Sequence, residues 1–349
     1  MTTIHKETPI KFINPLDEEW ESYVNSNDQA TIFHHPSWIK TISHSYNYRP
    51  FAAVIIDADE NIQAGIPFVE VNSMLTGKRW VSVSFSDHCT PLYNDQQALN
   101  TLILELGTMV SKGLVPKIEL RWMVPDSLGD WSYSSQVLHT VPLSDDAAYV
   151  KKNIRKMHRR NIKTAQKRGV EIKRGTSEDF LDAFYSMHLE TRKRHGIPIQ
   201  PKKFFKLIHK NLLEPGLGFI TLAFVDDEYI ASAIYLHFKK TLVYKFGASK
   251  ESGRNYRPNN LIFWDAIEWG INNGCTSLDL GKTGLENKGL RNFKDGWGAE
   301  EKELIYSVMP QAQENHGGGF LKTGMEKIIS ISPEWVCRAT GEILYRHFG

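Results

Sequence analysis

The stretch from Leu278 to Gly298 constrains this chain more than any other. It runs Leu278-Asp279-Leu280-Gly281-Lys282-Thr283-Gly284, and then Gly289-Leu290-Arg291-Asn292-Phe293-Lys294-Asp295-Gly296-Trp297-Gly298. The first part predicts a buried strand ending in Asp-x-Gly-Lys. A glycine-rich loop follows, then a short helix that carries Phe-Lys and stops at Trp-Gly. Glycines let a backbone come close to a ligand, and the lysines beside them supply fixed positive charge. This is the pattern of a site for an anionic or carbonyl-bearing substrate.

A chain of 349 residues predicts two domains, each large enough for its own core. Its net charge of +2 does not demand a nucleic-acid partner, although the charge can be unevenly spread. The three cysteines, Cys89, Cys275 and Cys337, are far apart and lack metal-ligand spacing. That usage fits a reducing compartment better than a disulfide framework. Met1 to Glu7 carries no apolar region, and no run of about eighteen apolar residues occurs. The expectation is a cytoplasmic protein with no signal peptide and no transmembrane segment.

Along the chain, Asn14-Pro15-Leu16-Asp17-Glu18-Glu19 reads as a helix start with Asn14 as cap, and a second helix is capped near Ser37. Strands are predicted at Phe51 to Ile56, Ile62 to Val71 and Arg79 to Phe85, and a helix at Ala98 to Ser111. Strands at Lys117 to Trp122 and Ser134 to Val141 complete a first α/β unit. One long helix is expected from about Ser144 to Arg168, stopped by Gly169. Two more helices follow, at Ser177 to Arg194 and from Pro201. Three strands come next, at Gly218 to Val225, Tyr229 to Phe238 and Thr241 to Ala248. A helix from Asn259 to Asn273, a strand at Thr276 to Leu280, the Phe-Lys helix and a strand at Lys302 to Met309 finish the second unit. The predicted domains are therefore residues 1–143 and 144–310. Residues 311–349 are expected to be a linker and short C-terminal helices.

Four places could carry chemistry. Lys151, Lys152, Arg155, Lys156, Arg159, Arg160, Lys163, Lys167 and Arg168 make one helix strongly basic, over an apolar stripe of Val150, Ile154, Met157 and Ala165. This is either a solvated helix face or a phosphate-binding surface. The loop Ser249 to Asn260 leads into a helix N-terminus, where backbone amides and the helix dipole favour anions. Arg254 could open such a slot, and Arg257 and Asn259 flank it. Asp279, Lys282 and Lys294 form the third place, with Phe293 and Trp297 beside them. A lysine near a reacting carbonyl can stabilise the oxyanion of a tetrahedral intermediate. The fourth is Phe85-Ser86-Asp87-His88-Cys89, where an adjacent Asp and His suggest acid–base chemistry or a polar loop. His34-His35 precedes a proline and reads as structural. Ser-His-Asp, Walker, dinucleotide and HExxH signatures are absent from the sequence, and no metal site is expected.

Taken in order, these motifs resemble the FemAB-like, peptidoglycan aminoacyltransferase-like branch of the GNAT acyltransferase superfamily. Thr31-Ile32-Phe33-His34-His35-Pro36-Ser37-Trp38 and Phe85 to Cys89 are similar to its N-terminal domain. Lys163-x-x-Gln166-Lys167-x-Gly169-Val170, Tyr244-x-Phe246-Gly247-Ala248, Asp279-x-Gly281-Lys282 and Phe293-Lys294-x-x-Trp297-Gly298 are similar to its C-terminal domain. The tail, with Ser332-Pro333-x-Trp335-Val336 and Leu344-Tyr345-Arg346, is similar as well. The resemblance implies an α/β (α+β) fold of two tandem GNAT-like domains. Each would be a mixed, mainly antiparallel sheet flanked by helices.

It also implies that Lys294 is the functional lysine, and that Lys40 and Asp87 match an N-terminal lysine and a groove aspartate that bind the precursor. Lys282 stands where relatives often carry Arg, and Arg257 and Asn259 stand where ordinary GNAT enzymes keep glycines for the CoA pyrophosphate. The long coiled-coil arm of some members is missing. Many armless relatives are encoded with surface-polysaccharide genes, which leaves an exopolysaccharide acceptor open beside a peptidoglycan one.

The expectation is an enzyme that forms an amide on an amino group of a cell-envelope precursor or amino sugar. Lys294 and Asp87 are the catalytic candidates. Lys40, Trp38, His88, Arg254, Arg257, Asn259, Asp279, Lys282, Phe293 and Trp297 are the substrate-binding ones. No permanently bound cofactor is expected. The co-substrate is aminoacyl-tRNA or acyl-CoA, with tRNA reaching the basic helix Lys151 to Arg168. The alternatives are an acetyl-CoA-dependent N-acetyltransferase of a polysaccharide or small-molecule amine, and a non-catalytic GNAT-like binding module.

Overall fold

The structure, a computed structural model, describes residues 9–310 and 329–347. The linker expected from residue 311 and the first part of the tail lie outside the described residues. Two compact units are present. One holds residues 9–135, 304–310 and 346–347, and the other residues 136–303 and 329–345.

In chain order the first unit begins with β1 (Lys11–Ile13), α1 (Glu18–Ser26), α2 (Pro36–Tyr46), β2 (Arg49–Ile56), β3 (Ile62–Ser73) and β4 (Gly77–Val81). It continues with β5 (Leu92–Tyr93), α3 (Gln96–Ser111) and β6 (Lys117–Leu120). β7 (Ser132–Pro142) then runs across the division into the second unit. There follow α4 (Ala147–Asn153), α5 (Lys156–Lys167), β8 (Glu171–Gly175), α6 (Glu178–Arg194), α7 (Lys202–Ile208), β9 (Gly218–Val225), β10 (Glu228–Phe238) and β11 (Thr241–Ser249). α8 (Pro258–Asn272), β12 (Ser277–Thr283), α9 (Lys288–Asp295) and β13 (Glu300–Met309) complete the series.

Both units follow one plan. In the first, β1, β2, β3 and β4 pair antiparallel in succession, and β4 then pairs parallel with β6. In the second, β8, β9, β10 and β11 do the same, and β11 pairs parallel with β12. α3 and α8 are the crossovers that parallel pairing requires.

The last strand of each plan does not come from where the sequence order suggests. β13, not β7, pairs antiparallel with β6 through Ser307↔Leu120 and Met309↔Ile118. β7 instead pairs antiparallel with β12 through Ser277↔Pro142 and Thr283↔Val137. The chain therefore gives each unit's closing strand from the segment that the other unit's order would claim. Met309 packs in the first core with Leu106 and Ile118, and Val141 packs in the second with Leu278 and Leu280.

Local chemistry explains the turns. The Asp57 carboxylate accepts the Asp59 and Asn61 amides, each at 2.9 Å, and closes the β2–β3 hairpin. Asp226 and Asp227 both take left-handed φ, at 48° and 62°, as a two-residue hairpin loop demands. α1 starts at Asp17, three residues later than the sequence suggests, because Asn14 holds Asp17 at 2.7 Å in a preceding turn. Arg79 to Phe85 is a strand only as far as Val81, since Val83 and Phe85 adopt left-handed backbone.

The expected long basic helix is two helices. Ile154 and Arg155 take extended conformations between α4 and α5. The break changes the apolar stripe. Ile154 is buried, Met157 turns to solvent, and His158, Ile162 and Ala165 face inward.

Within the second unit, the helix Glu334–Leu344 packs against α6. A Cβ at Gly341 would collide with the Ile199 carbonyl, so only glycine permits this approach. Among the described residues, no helix is long and apolar enough to cross a membrane.

Asp265 on α8 carries the clearest pH dependence. Burial raises its carboxyl to about 6, with Arg174, 3.6 Å away, acting in the opposite direction. The folded value lies above the unfolded one of 3.8. The folded state is therefore penalised for holding the anion. Stability is complete below the unfolded value and falls as pH rises through about 6. Asp265→Asn is expected to stabilise the protein at pH 8, by up to about 3 kcal/mol, and to leave it unchanged at pH 4. Urea melts at the two pH values check this. Equal effects at both would rule out the ionisation as the cause.

Candidate functional site

The site of the second unit is built on a fault in the β7–β12 ladder. Thr140 opposes Asp279 and Leu138 opposes Lys282, so two β12 residues, Leu280 and Gly281, face the single His139. Gly281 takes φ 73°, which suits glycine, and its amide donates to Asp279 Oδ1 at 2.7 Å. Asp279 is thus the buried residue that shapes the bulge.

α9 supplies the lysine. Asn287 caps it, accepting the Leu290 amide at 3.1 Å. Lys294 is its buried residue. The ammonium donates to the carbonyls of Gly281 at 2.8 Å and Lys282 at 3.1 Å. Only 5% of Lys294 is exposed, so this charge is held by backbone dipoles rather than by bulk water.

His158, Phe293 and Trp297 fix the direction of α9. The Trp297 ring stacks on His158 at 4.8 Å and on Phe263 at 5.2 Å, and Phe293 meets Phe263 edge-on at 5.7 Å. Asn260 Nδ2 donates to His158 Nδ1 at 2.7 Å. This leaves His158 Nε2 as the protonated nitrogen, donating to the Phe293 carbonyl at 3.1 Å. Burial lowers the affinity of His158 for a second proton. The Arg155 amide donates to the Gly296 carbonyl at 2.9 Å, and its guanidinium pairs with Asn292 and Asp295. Arg155 is thus a clamp on α9 as well as a surface charge.

Arg254, Arg257 and Asn259 line a cavity of about 430 Å³ together with Asn260 and Phe293. Arg254 pairs with Glu251 at 3.2 Å, and both are exposed. Arg257, not Asn259, occupies the cap position of α8. It does so with φ 59°, the left-handed backbone in which a glycine carries no strain. A second cavity, of about 620 Å³, is lined by Lys151, Lys152, Lys156, Arg159, Arg160 and Lys163. The break between α4 and α5 lies within this basic surface, and Lys151 sits 4.4 Å over the Trp264 ring.

The remaining sequence-predicted residues belong to the first unit. Trp38 is fully enclosed and donates from Nε1 to Ser86 Oγ at 2.9 Å, while Lys40, on the same helix, is exposed. Asp87 and His88 are half-buried, and His88 meets the Phe33 ring at 5.2 Å. The loop that carries them is strained, with φ of 52° at Val83 and 63° at Phe85. Tyr306 holds it by donating to the Asp87 carbonyl at 2.6 Å, and the Arg121 guanidinium donates to the Ser86 carbonyl. His34 and His35 are structural, as their place before a proline suggests. His34 Nδ1 accepts the Thr31 amide at 3.0 Å, and His35 Nδ1 accepts the Ser37 amide at 3.1 Å as the cap of α2.

The structure thus brings Asp279, Lys282, Phe293, Lys294 and Trp297 together around α9, and joins Arg254, Arg257 and Asn259 to Phe293 through one cavity. Sequence reasoning missed Tyr306 and Arg121 behind Asp87. It also missed His158 and Asn260 behind Phe293, and His139, Arg291 and Glu301 near Lys294. Tyr306, Arg121, His158, Asn260 and His139 meet their partners across long sequence separations, with no local spacing to announce them, whereas Arg291 and Glu301 lie within ten residues of each other beside Lys294. Among the described residues, no three His, Cys, Asp or Glu side chains converge as metal ligands would.

This arrangement can bind an anion and stabilise negative charge developing on oxygen. Residues 152–295 match the acetyltransferase (GNAT) domain family. A stretch of 127 residues is 24% identical to the UDP-N-acetylmuramoylpentapeptide-lysine N(6)-alanyltransferase of Weissella viridescens, covering 36% of this chain and 37% of that one. The match therefore spans little more than a third of the length of that curated relative. The crystal structure of FemX superimposes with a TM-score of 0.67 at 15% identity, covering 85% of this chain and 96% of that one. A tandem GNAT protein from the clavulanic acid biosynthesis pathway does so with a TM-score of 0.50 at 7% identity, covering 87% and 100%. The repeated strand plan is therefore a tandem GNAT fold, and residues 152–295 of it match the acetyltransferase (GNAT) domain family.

Proposed function

We propose that this protein is an acyltransferase that forms an amide on an amino group of a cell-wall precursor, taking the acyl group from an aminoacyl-tRNA. The observation that carries the reading is the buried Lys294 ammonium, held by the Gly281 and Lys282 carbonyls at 2.8 and 3.1 Å. When the amine attacks the ester carbonyl, a C–N bond forms and the carbonyl oxygen becomes an oxyanion. A fixed cation in a site of low dielectric stabilises that oxygen without reorganising. The C–O bond to the ribose then breaks. The attacking nitrogen gives up a proton, and the leaving hydroxyl takes one. An ester is already activated, so positioning of the two substrates supplies much of the rate.

Two observations favour aminoacyl-tRNA over acyl-CoA. The α4–α5 cavity gathers six basic side chains suited to a phosphate backbone. At the α8 N-terminus, Arg257 and Asn259 put side chains where a pyrophosphate would need bare backbone. The similarity to an alanyltransferase of Weissella viridescens fits an aminoacyl group as the one transferred and a cell-wall precursor as acceptor. In this reading Lys282 and Arg254 bind phosphate or carboxylate, and Asp87 orients the amine.

Thermal stabilisation by aminoacyl-tRNA, acetyl-CoA and a UDP-muropeptide, measured side by side, tests it. Shifts with aminoacyl-tRNA and the muropeptide, and none with acetyl-CoA, are expected. A shift with acetyl-CoA alone would make the protein an N-acetyltransferase instead.

A further inference from the structure

His139 sits at the fault in the ladder, on β7, opposite the Leu280–Gly281 bulge whose Gly281 carbonyl holds Lys294. Its side chain is wholly enclosed. Nε2 lies 3.0 Å from Glu301 Oε2, and Nδ1 has no hydrogen-bond partner among the described residues. A buried polar atom left unpaired costs about 1–3 kcal/mol, so an imidazole kept this way calls for an explanation.

Glu301 explains half of it. Arg291 grips this carboxylate with two bonds, Nε to Oε2 at 2.9 Å and Nη2 to Oε1 at 2.6 Å. Arg291 lies on α9, three residues before Lys294, so both side chains leave the same helix face. The charged and titratable groups around His139 are thus Lys294 and Arg291 from α9 and Glu301 from β13. Arg291 and Glu301 neutralise each other. With His139 neutral, the cluster of four carries one net positive charge, at Lys294.

We propose that His139 is a positioning residue that sets the working state of Lys294: neutral, it leaves the Lys294 ammonium in place on the Gly281 and Lys282 carbonyls, and protonated, it repels that ammonium from them. The inference rests on the reading of Lys294 as the group that meets the oxyanion. It adds an acid-side switch built from a neighbouring strand. Burial first, and then the charge of Lys294, push the imidazole below its ordinary value of 6.5, while Glu301 pulls it back up. The switch therefore opens at a pH under 6.5 and leaves the neutral form in force above it.

The Nζ signal of Lys294 in ¹⁵N-lysine-labelled protein, assigned by its loss in Lys294→Met, reports the coupling without any turnover. In the wild type it is expected to move through an inflection below pH 6.5, and in His139→Gln the inflection disappears. Glu301→Gln removes the carboxylate that favours the imidazolium, so the inflection moves to lower pH. This second variant alters a partly exposed residue and stands in should His139→Gln fail to fold. The turnover number of the wild type is expected to drop about tenfold one pH unit below the inflection, with KM unchanged. His139→Gln lacks that drop. A wild type with no inflection, a His139→Gln that keeps it, or an inflection unmoved in Glu301→Gln overturns the proposal. Full turnover in Lys294→Met would defeat the oxyanion reading alone, since the Nζ titration does not depend on catalysis.

Discussion

Lys294→Met is expected to lower turnover by about 10²- to 10³-fold while leaving the protein folded. Methionine keeps a four-atom apolar stem, as lysine has, and lacks the ammonium. What is lost at the reacting carbonyl is a preorganised charge, and removal of one oxyanion-stabilising donor costs about 2.7–4 kcal/mol in comparable sites. Folding is affected by two opposing terms. The Gly281 and Lys282 carbonyls lose their donor, which costs about 1–3 kcal/mol for a buried group. Against this, an ammonium that is 5% exposed no longer has to be desolvated. The melting temperature is therefore expected to change little. Single-turnover transfer to a muropeptide, run beside a thermal melt, separates the two effects. Near-normal transfer by a folded variant would remove Lys294 from the chemistry.

Trp297→Ala is expected to have the largest effect on stability, a loss of about 3–5 kcal/mol. The indole is 1% exposed and sits between the rings of His158 and Phe263, with Phe293 edge-on at 6.4 Å. Its removal opens a cavity beneath α9 that the stacked rings cannot collapse to fill. With total stabilities of about 5–15 kcal/mol, a loss of this size leaves a marginal protein. Activity is expected to fall with it, because the helix that carries Lys294 would lose its floor. Trp297→Phe provides the contrast. The indole Nε1 is buried with no hydrogen-bond partner among the described residues, so a phenyl ring gives up no bond and keeps most of the stacking area. A loss of less than about 2 kcal/mol is expected there. Urea unfolding of the two variants checks the pair. Equal losses would mean that the nitrogen, and not the ring, is what the site needs.

Much of the fold is legible from local signals. The β9, β10 and β11 strands end at Asp226-Asp227 and Lys239-Lys240, where two-residue loops leave little freedom in register. Gly169 and Gly274 follow α5 and α8 with left-handed φ, as helix-terminating glycines should. The basic helix misleads because its period can be read through residues 154 and 155. Only the bond from the Arg155 amide to the Gly296 carbonyl reveals why the chain breaks there. The candidate site divides the same way. Phe293, Lys294 and Trp297 announce themselves through composition beside glycine. Tyr306 lies 219 residues from the Asp87 carbonyl it holds, and Asn260 lies 102 residues from His158, so neither has a local signature.

By itself the sequence determined most of the strands and helices, and the placing of a lysine on a short helix after a Gly-Lys strand end. These depend on backbone preferences and on apolar period, which act over a few residues. Only the tertiary structure decided that β13 closes the first unit and β7 the second. The same holds for the placing of His139 opposite the bulge that holds Lys294 and for the joining of Glu301 to both His139 and Arg291. Ladder pairing depends on which strand edge is left open when the cores assemble. Two closing strands of similar length and alternation carry no local mark of the edge they will meet.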